Sequence, residues 1–172
     1  MVILETERLT LRRLHTDDAP FALRLVNEPS WLEHIGDKGV KTLEDAGNYL
    51  LTGPLDMYER LGHGMWMVEL RSNKEPIGFC GLIKRDTLDD VDIGFALLPE
   101  FCRQGYAFEA AAATLEYAQT QLGLSRIVAI TSQENKASGS LLEKLGFEFN
   151  KLLEPGSGDD ALKFFVFEVS HK

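Results

Sequence analysis

The residues best suited to chemistry lie in one run, Asp92-Ile93-Gly94-Phe95-Ala96-Leu97-Leu98-Pro99-Glu100-Phe101-Cys102-Arg103-Gln104-Gly105-Tyr106-Ala107. An apolar strand ends at Pro99, a short loop follows, and a helix opens near Gly105. The first turn of a helix carries N–H groups without intrahelical partners and a partial positive charge, which suits a pyrophosphate. Gly105 lets the backbone approach phosphate oxygens with no Cβ in the way. The small residues Ala107 and Ala110–Ala113 allow the helix to lie close to a strand. A glycine loop before a helix is common, so this pattern alone leaves an anion site and a plain turn both open.

Other chemistries find less support. His15, His34 and His63 have no metal-ligand spacing, so no metal is expected. Cys80 and Cys102 are too few for a disulfide framework or a zinc cluster, and a reducing cytoplasm fits them best. Cys102 has no histidine partner in the pattern and reads as no nucleophile. The formal net charge of −9 argues against nucleic-acid binding, which needs a surplus of Lys and Arg. Acidity attracts a cationic partner such as a polyamine or basic tail, and it also simply keeps a protein soluble. No apolar run reaches the ~18 residues of a membrane span, and the opening Met1-Val2-Ile3-Leu4-Glu5 does not read as a secretion signal.

The elements that position the run follow from periodicity. With 172 residues, no repeat and no linker, one domain over 1–172 is expected. Val2–Leu11 reads as a strand, and Thr16 or Asp17 caps a helix from Asp18 to Asn27 that Pro29 stops. A second helical stretch runs from the cap Thr42 toward Arg60, broken or restarted at Pro54. Met65–Leu70, Pro76–Ile83 and Val91–Leu98 form an antiparallel meander. Phe108–Leu122 is helical, with Phe108, Ala111, Ala112, Leu115 and Leu122 on one face. Ile127–Ile130 is a buried strand, Ala137–Leu145 a helix ended by Gly146, and Phe147–Leu153 with Leu162–Val169 a hairpin around the loop Glu154–Asp160. The result is an α/β (α+β) domain on a mixed sheet.

Several of these segments, in order, resemble one family. Cys102–Ala107 resembles the GNAT acetyltransferase signature Q/R-x-x-G-x-G/A, with Gly105 and Ala107 in the small positions and Cys102 in place of the usual first residue. Thr6-Glu7-Arg8-Leu9-Thr10-Leu11-Arg12, Trp66-Met67-Val68, Pro76-Ile77-Gly78, Ile93-Gly94-Phe95, Asn135-x-x-Ser138 and Glu143-Lys144-Leu145-Gly146-Phe147 resemble its RimJ/RimL-type branch. The resemblance implies a GNAT fold, a mixed, mostly antiparallel sheet splayed into a V. A bulge on Asp92–Leu98 would open the V, and acetyl-CoA would bind in it. Its pantetheine arm would pair with the backbone of Phe95, Ala96 and Leu97 and be held opposite by Asn135. Its pyrophosphate would meet Arg103, Gln104, Gly105, Tyr106 and Ala107, with Arg103 supplying the charge that Cys102 does not.

The implied reaction is direct N-acetylation of a primary amine. The acceptor implied is a ribosomal or other protein N-terminus. A small amine (polyamine, amino acid or amino sugar) and a non-catalytic CoA-binding module are the alternatives. Asp92 reads either as the general base, with Glu69 as second choice, or as an ordinary member of the acidic cluster Asp86-Asp89-Asp90-Asp92. Ser138 reads either as the acid for the departing thiolate or as a first-turn hydroxyl satisfying its helix. Trp31 and Trp66 read either as acceptor-pocket walls or as core. Asn27–Lys41 and Gly156–Asp160 are the segments expected to shape that pocket. Monomer and homodimer remain equally compatible.

Overall fold

Polar alternation and tight turns lay the chain out as eight strands, which the computed structural model joins in one sheet; it describes residues 1–154 and 161–169. The strands are β1 (Val2–Glu5), β2 (Leu9–Arg13), β3 (Met65–Leu70), β4 (Pro76–Ile83), β5 (Asp92–Leu97), β6 (Arg126–Ser132), β7 (Glu148–Leu153) and β8 (Leu162–Glu168), ordered β1-β2-β3-β4-β5-β6-β8-β7. Every neighbouring pair is antiparallel except β5 and β6. The helices are α1 (Ala19–Leu25), α2 (Pro29–His34), α3 (Leu43–Leu50), α4 (Asp56–Leu61), α5 (Tyr106–Thr120) and α6 (Lys136–Leu145).

Four local expectations change. The opening is a hairpin rather than one strand, its turn held by the Leu9 N–H donating to Thr6 Oγ1 at 3.0 Å. The cap of the first helical turn is His15, whose Nδ1 accepts from the Asp17 N–H while Asp18 accepts from the His15 N–H. Pro29 begins α2 as well as ending what precedes it, because a first-turn proline has no N–H to lose. Phe108 is exposed rather than part of the buried face of α5.

The Thr42 cap is as read from the sequence, forming a reciprocal box with Asp45. At Pro54 the chain passes through a wider π-turn, Leu51–Leu55, before α4 resumes; the extra residue in the turn accommodates a ring that would clash in an ordinary helix.

Each face of the sheet carries a core. Trp66, Val68, Ile93 and Leu97 pack with Ala110, Ala111, Leu115 and Ala118 of α5 and Leu142 of α6. Met67, Phe79 and Leu98 pack on the opposite side with Ala22, Leu25, Trp31, Ala46 and Leu50 from α1–α3. Removing each such large side chain from water stabilises the fold by roughly 1.5–3 kcal/mol. The alanines of α5 bring that helix close enough to the sheet for its N-terminus to sit at the end of β5.

Candidate active site

A gap between two neighbouring strands is the starting point. β5 pairs with β4 along its whole length, from Ile83↔Asp92 to Gly78↔Leu97, with no shift in register. It meets β6 at one pair only, Asp92↔Val128, where the Val128 N–H donates to the Val91 carbonyl at 3.0 Å. Past that pair the strands part, so the V is present but the expected bulge on β5 is not; divergence of β5 from β6 opens the sheet.

Strand alternation decides which backbone groups line the gap. The Leu98 N–H donates to Ile77 O on the β4 side, and Val91 O accepts from β6. Even-numbered residues of β5 therefore bond to β4, while Ile93, Phe95 and Leu97 turn their N–H and C=O toward the opening. Of the three residues read as backbone partners for a pantetheine arm, Phe95 and Leu97 face the opening. Ala96 lines the cleft, but its carbonyl points at β4, where a Cβ on Gly78 would lie 2.2 Å from it.

The gap belongs to a cleft of about 740 Å³. At one end, the chain leaves β5 through a short turn at Pro99–Phe101 and enters α5 with left-handed Arg103 (φ 64°) and Gly105 (φ 84°). Gly105 is the N-cap of α5 and provides no side-chain cap, leaving the first-turn N–H groups open. Arg103, Gly105 and Ala107 line the cleft. Gln104 and Tyr106 turn their side chains elsewhere, the amide of Gln104 donating to Glu100 O at 2.9 Å and the Tyr106 ring lying 4.3 Å beneath Arg8.

Arg8 fixes this loop. Its Nη1 donates to Gln104 O at 3.0 Å and its Nε to Glu109 at 2.8 Å, while Glu109 also accepts from Thr6. Cys102 is at the rim with its thiol donating to Leu98 O, and partial burial pushes that thiol's pKa up, away from thiolate chemistry.

On the opposite arm, Asn135 caps α6 by accepting the Ser138 N–H at 3.2 Å. Both residues line the cleft, and the Ser138 hydroxyl has no hydrogen bond among the described residues.

The other end of the cleft opens on the α1–α4 face. Asp92 is buried there, with Oδ2 accepting from Arg85 Nε at 2.9 Å and Oδ1 lacking a partner among the described residues. Burial pushes its pKa up; the charge and hydrogen bond of Arg85 work against that. Trp31 lines this end and is also part of the core, packed edge-on against Phe79.

Trp66 does not line it. It is fully buried on the α5 face against Tyr117, because its position in β3 has the parity of that core. Its neighbour Met65 has the opposite parity and is the β3 residue in the cleft. Glu69 is spoken for by Arg12, at 2.9 Å, outside the cleft lining.

Sequence reasoning missed Tyr49 and Arg85 as cleft residues; Lys38 falls within the segment Asn27–Lys41 expected to shape the pocket, and His34 lines the cleft and bonds Ser132 of β6 at 2.7 Å. Only Arg85 had a local signal: closing the β4–β5 hairpin at Ile83↔Asp92 puts it beside Asp92. Of the loop Gly156–Asp160, expected to shape this end, every residue lies outside the described residues.

The sequence profile of the family described as "Acetyltransferase (GNAT) domain" matches residues 8–148. The chain belongs to the GNAT acetyltransferase family. As a GNAT protein it is an acyltransferase, and its relatives agree. The N-acetyltransferase YoaA of Bacillus subtilis (strain 168), itself described as uncharacterized, is 33% identical over 149 residues, covering 85% of this chain and 82% of YoaA. The crystal structure of the acetyltransferase from Agrobacterium tumefaciens str. C58 superposes with a TM-score of 0.82 at 27% identity, over 98% of this chain and 95% of that one. RimL, the ribosomal L7/L12 alpha-N-protein acetyltransferase, in complex with coenzyme A, shares the fold at a TM-score of 0.84 and 17% identity, over 98% of each chain. No described helix of this GNAT protein is long and apolar enough to cross a membrane.

Proposed function

We propose that this acetyltransferase takes the acetyl group of acetyl-CoA and passes it to a primary amine that attacks directly from the α1–α4 face. The observation that carries this reading is the continuity of one cleft, from the open N-terminus of α5, through the β5–β6 gap, to Asp92 and Trp31 on the other side. A protein that only held coenzyme A would need the first two parts and not the third. The residues present fit the co-substrate: uncapped N–H groups at Gly105 suit a pyrophosphate, and unpaired backbone at Phe95 and Leu97 suits an amide-bearing arm.

Acetyl-CoA, when bound, supplies the thioester that the amine attacks. Asp92, whose buried Oδ1 has no partner among the described residues, takes the proton an incoming ammonium must lose. Arg85 holds the other carboxylate oxygen and fixes the orientation. A β5 N–H turned to the gap is a ready donor to a developing oxyanion. Ser138 Oγ on α6 is the proton donor on the far arm. The acceptor implied by the likeness to the RimJ/RimL branch is a protein N-terminal α-amine, which presents the same primary amine as a small molecule.

The decisive experiment incubates the protein with acetyl-CoA and a panel of amines and peptides, following thiol release and N-acetylated product. Product is expected from at least one amine. Tight acetyl-CoA binding with no product from any amine would replace this reading with that of a CoA-binding module.

Arg8 acts on the co-substrate end alone. An Arg8→Ala variant should weaken acetyl-CoA binding about tenfold, the equivalent of one charge-assisted hydrogen bond lost from the loop. Its kcat at saturating acetyl-CoA should match wild type, which titration calorimetry and steady-state kinetics together would show.

A further inference from the structure

The acceptor end of the cleft does not share the acidity of the chain: among the described residues two cations, Lys38 and Arg85, stand there against two anions, Glu28 and Asp92. The protein's formal net charge is −9, an acidity that by itself favours a polyamine or basic tail. Yet the described charged side chains lining this end are Lys38, Arg85, Asp92 and Glu28. Glu28 is 3.6 Å from Arg24, which pairs more closely with Glu100 at 2.8 Å, and Asp92 is matched by a single nitrogen, Nε, of Arg85. That leaves the terminal guanidinium nitrogens of Arg85 and the ammonium of Lys38 with no acidic partner among the described residues.

Arg85 is the hub of this group. Lost hydration and the neighbouring charge of Arg85 together lower the pKa of Lys38. The phenol of Tyr49, whose pKa burial raises, also feels the Arg85 charge. Three donor-bearing residues from separate segments, the α2–α3 connection, α3 and the β4–β5 hairpin, line the same cleft. Two cations held together without a counter-ion repel each other, and an anion between them removes that cost.

Building on the amine-transfer reading above, we infer that the acceptor carries a carboxylate a few bonds from its amine. The carboxylate is bound by Lys38, Arg85 and Tyr49 while the amine faces Asp92 Oδ1. This is the chemistry of a free α-amino acid or of an acidic first residue on a peptide. It excludes a polyamine, which would bring like charge to Lys38 and Arg85.

The test compares free α-amino acids with their carboxamides, tripeptides beginning in Asp or Glu with those beginning in Ala, and spermidine, at saturating acetyl-CoA. Carboxylate-bearing acceptors, free acids or Asp/Glu tripeptides, should be used at least tenfold better in kcat/KM than their matched controls, the carboxamides or the Ala tripeptides. The tripeptide arm separates the two sources of carboxylate: acetylation of free acids alone assigns the free amino acid, and of Asp/Glu tripeptides alone the acidic N-terminus. Lys38→Ala should raise KM for the acids about tenfold and Lys38→Glu further, leaving the KM of acetyl-CoA and of the carboxamides unchanged.

Equal or better use of carboxamides or spermidine, or an unchanged acceptor KM in Lys38→Glu, would overturn the inference while leaving the transferase reading intact. A calorimetric arm stands apart from turnover: with coenzyme A present, N-acetyl amino acids should bind more tightly than N-acetyl amino-acid amides. Equal binding there overturns the inference even if no amine is acetylated, a result that would separately defeat the proposed function.

Discussion

A Gly105→Glu variant is expected to lose acetyl-CoA binding by about two orders of magnitude or more, measured by calorimetry against wild type. Three effects add. Gly105 has φ 84°, a left-handed conformation that costs an ordinary residue roughly 1–2 kcal/mol. A Cβ there would meet Arg8 Nη2 at 3.2 Å, so the arginine that pins the loop must give way. The new carboxylate then lies at the open N-terminus of α5, where it competes with a pyrophosphate for the same N–H groups and repels it. Gly105→Ala separates the terms, since it keeps the strain and the contact without the charge, and should fall between wild type and Gly105→Glu. Wild-type affinity in Gly105→Glu would remove the pyrophosphate from this loop.

Asp92→Asn should lower kcat about 10²–10⁴-fold, the usual worth of general-base assistance, and barely alter acetyl-CoA affinity, because Asp92 is at the amine's end of the cleft. The pH profile provides the finer test. Burial raises the pKa of Asp92 and Arg85 only partly offsets it, so the group holds its proton to higher pH than an ordinary aspartate. As a base it works only when deprotonated. The rate should therefore fall as pH drops through that raised pKa, giving an acid limb above the usual aspartate range. The asparagine variant should show no such limb. Full activity from pH 6 to 9 in Asp92→Asn would leave the amine to lose its proton to water.

The α5 end of the cleft was legible because its signal is local. Gly105, the small residues after it and the strand before it stand within one run of sequence, and the loop lies where that run places it. The Asp92 end was legible only in part: Trp31 and the segment Asn27–Lys41 were read toward it, but α3 and the β4–β5 hairpin reach it by packing across the sheet, and no spacing in the chain relates Tyr49 to Asp92. Trp66 shows how fine the remaining distinction is: one residue of register separates a core tryptophan from the cleft residue Met65, and residue size favours the wrong one. The bulge expected on β5 came from resemblance alone. Here the register of β5 with β4 is unbroken, and nothing in its residue types demands a bulge.

The single pair Asp92↔Val128 also has a mechanical meaning. It joins two plates, β1–β5 on one side and β6, β8 and β7 on the other. If the plates swing to admit guests of different width, the axis passes beside Asp92, and displacement grows with distance along β5. Leu97, five residues away, is about 17 Å from that axis, so a swing of about 5° carries it about 1.5 Å. Asp92 itself scarcely translates. A carboxylate on the pivot keeps its station with Arg85 however far the arms stand apart, so the width of the jaws and the position of that carboxylate are set independently.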